Sequence, residues 1–166
     1  MKAWPFNVRV EWAVAAFCAW RASDLLLAWR HSPFDRLGWL AFILWLTPLL
    51  IAVFRSESNA GAERIPRPAV WLTWLVLAIS LLSVMLDIHL LGHLALAGAV
   101  WLLLPTFPNR LIWLGLSLCW MPLLGSLAQN ATPSGVLGLR IALAALAVFL
   151  GFKSTRAITK VTLNER

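Results

Sequence analysis

Apolar runs close to membrane-spanning length recur from one end of the chain to the other, separated by short polar breaks. Six runs are read, at 10–29, 37–54, 69–86, 88–105, 111–128 and 135–152. Each approaches the roughly 20 residues that a helix needs to cross the hydrocarbon of a bilayer. The breaks carry turn formers. Pro33 and Asp35 sit in "RHSPFDRLG", "RSESNAGAERIPRP" is polar throughout, and "PTFPNR" and "QNATPSG" combine Pro, Asn and Gly. The third and fourth runs meet almost without a loop at Asp87, so that two helices and one long bent segment are both open there. This pattern predicts an all-α, polytopic membrane protein of about six helices, folded as one transmembrane domain over 1–166.

Composition strengthens that reading. Hydrophobic residues make up 61% of 166, with a mean hydropathy of +0.80. No long polar segment remains from which to build a soluble domain. The start, "MKAWPFNVRVEW", lacks the compact apolar core and small-residue cleavage site of a signal peptide, so the first run is expected to stay in the protein.

The net charge of +7 could suggest nucleic acid. The positions of the basic residues argue for a membrane instead. With a cytoplasmic N terminus, that side receives Lys2, Arg9, Arg55, Arg64, Arg67, Arg110, Lys153, Arg156, Lys160 and Arg166, and the other side only Arg30 and Arg36. Ten against two predicts both termini inside, which fits an even number of spans. The location this implies is a membrane crossed several times, with both termini cytoplasmic. The tail "KSTRAITKVTLNER" would then meet anionic lipid. Little chain is left outside the bilayer, so partners are expected to be other membrane subunits. Eleven Trp and no Tyr are present, and Trp4, Trp29, Trp39, Trp71, Trp101 and Trp113 are expected at helix ends, as an interfacial belt.

Ionisable residues inside spans are costly, so each is a candidate for function. Arg21 and Asp24 are three apart and would share a helix face in the first span. His89 and His93 lie one turn apart in the fourth, and Arg140 lies in the sixth. Counted from the outer ends of their spans, Asp24, His93 and Arg140 are each five residues down, about 7–8 Å at 1.5 Å per residue. The expectation is one polar cluster of Asp24, His89, His93, Arg140 and Arg21. At its centre an Asp24–Arg140 ion pair would be bridged by a neutral His93. Proton-coupled transport through this layer is a second reading of the same residues.

Neither haem nor zinc is expected. Histidines at i and i+4 point the same way and cannot clamp a haem from both faces, and His31 falls in a loop. "DIHLLGH" lacks the acidic residue and spacing of a zinc-protease helix. Cys18 and Cys119 fall inside apolar runs and read as inert packing. Gly92, Ala95 and Ala99 share one face of the fourth span and would admit a close neighbour. Pro48 and Pro122 should kink or end spans two and five.

"LLLAWRHSPFDRLGWLAFILWLTPLLIAVFR" and "WMPLLGSLAQNATPSGVLGLRIALAALAVFLG" resemble the amino-terminal half of the exosortase and archaeosortase membrane family. Trp29, Pro33, Phe34, Gly38 and Arg55 carry the likeness. The resemblance implies a bacterial inner-membrane protein linked to the sorting of exported proteins. It also implies a catalytic Cys, Arg and His, in that order. Cys119 and Arg140 have the order, but no histidine follows them, and His93 precedes both. The expected function is therefore a non-catalytic accessory or scaffold subunit. A membrane thiol peptidase or transpeptidase using Cys119, Arg140 and His93 is the alternative.

Overall fold

The computed structural model describes residues 6–58, 70–103, 110–127 and 132–164. All regular structure among them is helical. The helices are α1 (Phe6–Arg21), α2 (Asp24–His31), α3 (Gly38–Ser58), α4 (Val70–Leu86), α5 (His89–Leu103), α6 (Arg110–Gly115), α7 (Leu123–Leu127) and α8 (Pro133–Asn164), with a 3₁₀ turn at Leu116–Cys119. Four expected spans correspond to α3, α4, α5 and α8 within a few residues at each described end, α8 continuing beyond 152. One helix, over Pro133–Lys153, is long and apolar enough to cross a membrane. Gly38–Pro48, Val70–Leu86 and His89–Leu103 are apolar but shorter.

The first and fifth runs are each broken. Between α1 and α2 the backbone tightens, with Ser23 N–H donating to Trp20 C=O at 3.2 Å. Three of the four residues at this joint are polar, and the side chains of Arg21 and Asp24 find partners elsewhere in the fold. In the fifth run, Trp120 N–H bonds the Ser117 carbonyl, and Pro122 has no N–H with which to continue a helix. Proline also disfavours helical backbone at the preceding Met121.

The chain divides into two compact units, Met1–Asp24 with Pro66–Pro105, and Leu25–Ile65 with Thr106–Arg166. In the first, α1, α4 and α5 pack together. α4 and α5 form a hairpin turned by Asp87 at φ 53°. Ile88 N–H reaches back to the Ser83 carbonyl at 3.2 Å, the closing bond of a left-handed helix cap. The α4–α5 boundary is therefore a true helix end. Gly92, Ala95 and Ala99 are buried, as their spacing suggested. A Cβ on Gly92 would stand 3.0 Å from Ser83 Oγ.

In the second unit, α3 lies along α8. Gly151 permits the approach: a Cβ there would run into the Pro48 ring. Trp29 and Trp113 are buried here rather than placed in an interfacial belt. They join Phe42, Trp45 and Trp120 in one aromatic cluster, with Trp45 stacked on Trp113 at 4.0 Å between centroids. The indoles of Trp29 and Trp45 have backbone acceptors inside the fold, which removes their need for a watery headgroup layer. Trp101 is also buried, in the first unit, whereas Trp39 and Trp71 are exposed. Trp4 lies outside the described residues.

Candidate functional site

Two polar centres form, one in each unit. In the first unit, Asp24 Oδ2 faces His93 Nε2 at 3.0 Å and His89 Nδ1 at 3.2 Å. Histidines four apart on α5 present one face, so a single carboxylate oxygen can serve both. The side chains are graded in exposure: His89 is 53% exposed, Asp24 28% and His93 5%. Asp24 Oδ1 is buried and has no hydrogen-bond partner. Arg21 lies beside this trio, but it does not pair with Asp24. The break at Ala22–Ser23 takes the two off a common helix face. Arg21 instead donates from one guanidinium nitrogen to the Ser83 carbonyl and to Asp87 Oδ1, each at 3.2 Å. It thereby ties α1 to the α4–α5 turn.

The second centre is built on Arg140, which is fully buried. Its Nε donates to the Phe34 carbonyl at 3.0 Å, and its terminal nitrogens to the carbonyls of Cys119 at 2.8 Å and Met121 at 3.0 Å. One terminal nitrogen also pairs with Asp35 Oδ1. Trp29 Nε1 donates to the Trp120 carbonyl between them at 3.0 Å. Three consecutive carbonyls at the break before Pro122 thus accept from side chains, and that of Met121 also takes the Leu124 N–H at 3.3 Å. A buried carbonyl left without a donor costs about 1–3 kcal/mol, so this arrangement is what allows irregular backbone in an apolar setting.

The expected five-residue cluster is therefore divided. Asp24, His89 and His93 come together with Arg21 at their edge. Arg140 belongs to the other unit, where its carboxylate is Asp35 and not Asp24. A count of depth along each helix said nothing of the loop. The 32–37 turn folds inward, held by Asp35 N–H to Ser32 C=O and Gly38 N–H to Asp35 C=O. Asp35 is the residue that sequence reasoning missed as a partner. Its signal was the scarcity of acids, only seven in 166 residues against two span arginines.

Cys119 is completely buried and its Sγ contacts the Ala41 carbonyl at 3.9 Å. It shares a unit with Arg140, whose donors are occupied by carbonyls and Asp35. His93 is held by Asp24 in the first unit, so the described contacts do not assemble a Cys–His pair. Cys18 is likewise fully buried. Among the described residues no group of three or more His, Cys, Asp or Glu is arranged to hold a metal ion; His93 is the hydrogen-bond partner of Asp24 Oδ2, and His89 approaches the same oxygen at 3.2 Å.

No protein-family model matches the chain, and the comparisons with curated proteins and with solved structures found none similar to it.

Proposed function

We propose that this chain is a multi-pass protein of a bacterial inner membrane, with both termini cytoplasmic, acting as a non-catalytic accessory or scaffold subunit of a larger membrane complex. The observation that carries the reading is an inside-out distribution of polarity. On α4 the buried positions are Thr73, Val76, Ser80 and Ser83, whereas Trp71, Trp74, Leu81, Leu82 and Met85 face outward. On α8 the buried stripe is Val136, Arg140, Ala144, Ala147 and Gly151, while Leu139, Ile141, Leu146 and Phe149 are exposed. Only 28% of the apolar window of α8 is buried. Hydroxyls, small residues and an arginine inside, with large apolar groups outside, suit lipid or neighbouring helices as the surrounding medium.

The accessory role follows from how the reactive groups are used. Arg140 is occupied with backbone and Asp35, and Cys119 is sealed, which disfavours a thiol peptidase. The resemblance at Trp29, Pro33, Phe34, Gly38 and Arg55 supports a place among proteins that sort exported substrates. The partners proposed are lipid and other membrane subunits, contacted through the outer faces of α4 and α8.

The test has two arms. Membranes washed with alkaline carbonate should retain the chain, and purification in mild detergent should recover it with another membrane protein at fixed stoichiometry. A chain that is released by carbonate, or that always purifies alone, would sink the proposal. Cys119 should resist small thiol reagents in intact membranes at neutral pH; rapid alkylation would restore the peptidase reading.

A further inference from the structure

We propose that α1, α4 and α5 form a short membrane-crossing bundle whose outer faces select lipids with short acyl chains. The inference rests on the membrane reading above and names the lipid those faces fit. Each helix of this unit falls below the roughly 20 residues that an ordinary bilayer requires: α1 has 16, α4 has 17 and α5 has 15. At about 1.5 Å per residue they are about 22–26 Å long, against a hydrocarbon layer of about 30 Å. Pro68 and Pro105 bound the apolar runs on either side of Asp87. Counted to those prolines, the runs still hold only 18 and 17 residues, about 26–27 Å as helix. In the other unit, Pro133–Lys153 has 21 residues, so the shortness belongs to this unit and not to the whole chain.

Polar and aromatic groups mark both ends of the bundle. At one end the α4–α5 hairpin is closed by Asp87, whose side chain is 84% exposed. Arg21 bonds Asp87 and the Ser83 carbonyl, so its guanidinium is tied to the helices and does not reach beyond them. A charged turn of this kind needs water or the headgroup layer. Trp20, next to Arg21 in the chain, turns an exposed indole outward at the same end. At the far end of α4, Trp71 and Trp74 are exposed as well. An exposed indole favours the headgroup layer. From Trp71 to Asp87 is 16 residues, about 24 Å along a helix. The apolar height of this surface is therefore several ångströms below that of an ordinary bilayer. Long-chain lipid must thin against it or cover Asp87 and Arg21, whereas short-chain lipid meets it with neither distortion.

The probes are phosphatidylcholines, with the full chain reconstituted in bilayers and its indoles read by fluorescence. Lipid brominated in its acyl chains quenches an indole that it touches, and in this unit Trp12, Trp20, Trp71 and Trp74 are exposed to it. Trp39→Phe removes the exposed indole of α3 in the other unit. Unbrominated lipids with chains of about 14, 18 and 22 carbons then compete for the same surface. The shortest should relieve quenching at a concentration about threefold or more below that of the longest. The melting temperature of the unaltered chain should be highest in the shortest-chain bilayer and lower by about 5 °C or more in the longest. This second measurement carries the test if Trp39→Phe does not fold. Equal competition at all chain lengths, preference for the longest, or a melting temperature that stays level or rises with chain length would overturn the inference and leave the membrane reading intact. Indoles that no brominated lipid quenches would overturn the membrane reading and this inference with it.

Discussion

Arg140 shows how one side chain can determine a local fold. Its guanidinium donates to the carbonyls of Phe34, Cys119 and Met121, and it answers the Asp35 charge. A lysine supplies a point charge without the planar fork, so Arg140→Lys should destabilise the protein by about 3–5 kcal/mol, read as a lowered melting temperature in detergent. Arg140→Leu should be at least as severe. Adding Asp35→Asn to it should restore part of the loss, because no bare carboxylate remains, while the carbonyls still lack the guanidinium donors. Asp24→Asn shares no partner with Arg140→Leu, so those two losses should add to within about 0.5 kcal/mol. Strong coupling between Asp24 and Arg140, with none between Asp35 and Arg140, would contradict the pairing described above.

At the level of elements, close approach and chain reversal decide the outcome. Gly151→Ala would place a methyl on the ring of Pro48, so α3 and α8 must separate; overpacking of this kind costs about 1–3 kcal/mol. Pro48→Ala made together with it should cost less than the sum of the two single changes, measured by thermal unfolding. The α4–α5 turn offers a second case. Asp87 holds φ 53°, which a β-branched residue adopts only with strain. Asp87→Val should cost about 1–2 kcal/mol. Asp87→Gly should be close to neutral, since the relaxed backbone offsets the loss of an exposed bond to Arg21. Equal effects of the two substitutions would mean that backbone conformation is not what Asp87 provides.

For the whole molecule, the governing quantity is the distribution of charge along an apolar chain. Ten basic residues against two predict that a periplasm-active reporter fused after Arg166 stays silent. An active fusion would reverse the proposed orientation and place His89 at the cytoplasmic surface.

Helical class, the four continuous apolar helices, the small-residue face of α5 and the pairing of His89 with His93 on one face were all legible in the residues alone. Each depends on periodicity or composition, which act over a few neighbouring positions. The helix breaks, the partner of Arg140 and the interior place of Trp29 and Trp113 were not legible. Pro122 announced an interruption, but only the assembled fold supplies the guanidinium and the indole that make it tolerable. Asp24 and Asp35 were equally available to Arg140 by charge; the inward fold of 32–37 decided between them. Local sequence dictates which groups must find partners, and tertiary structure decides which partner each one finds, because that depends on distances spanning about a hundred residues of chain, such as the 105 between Asp35 and Arg140.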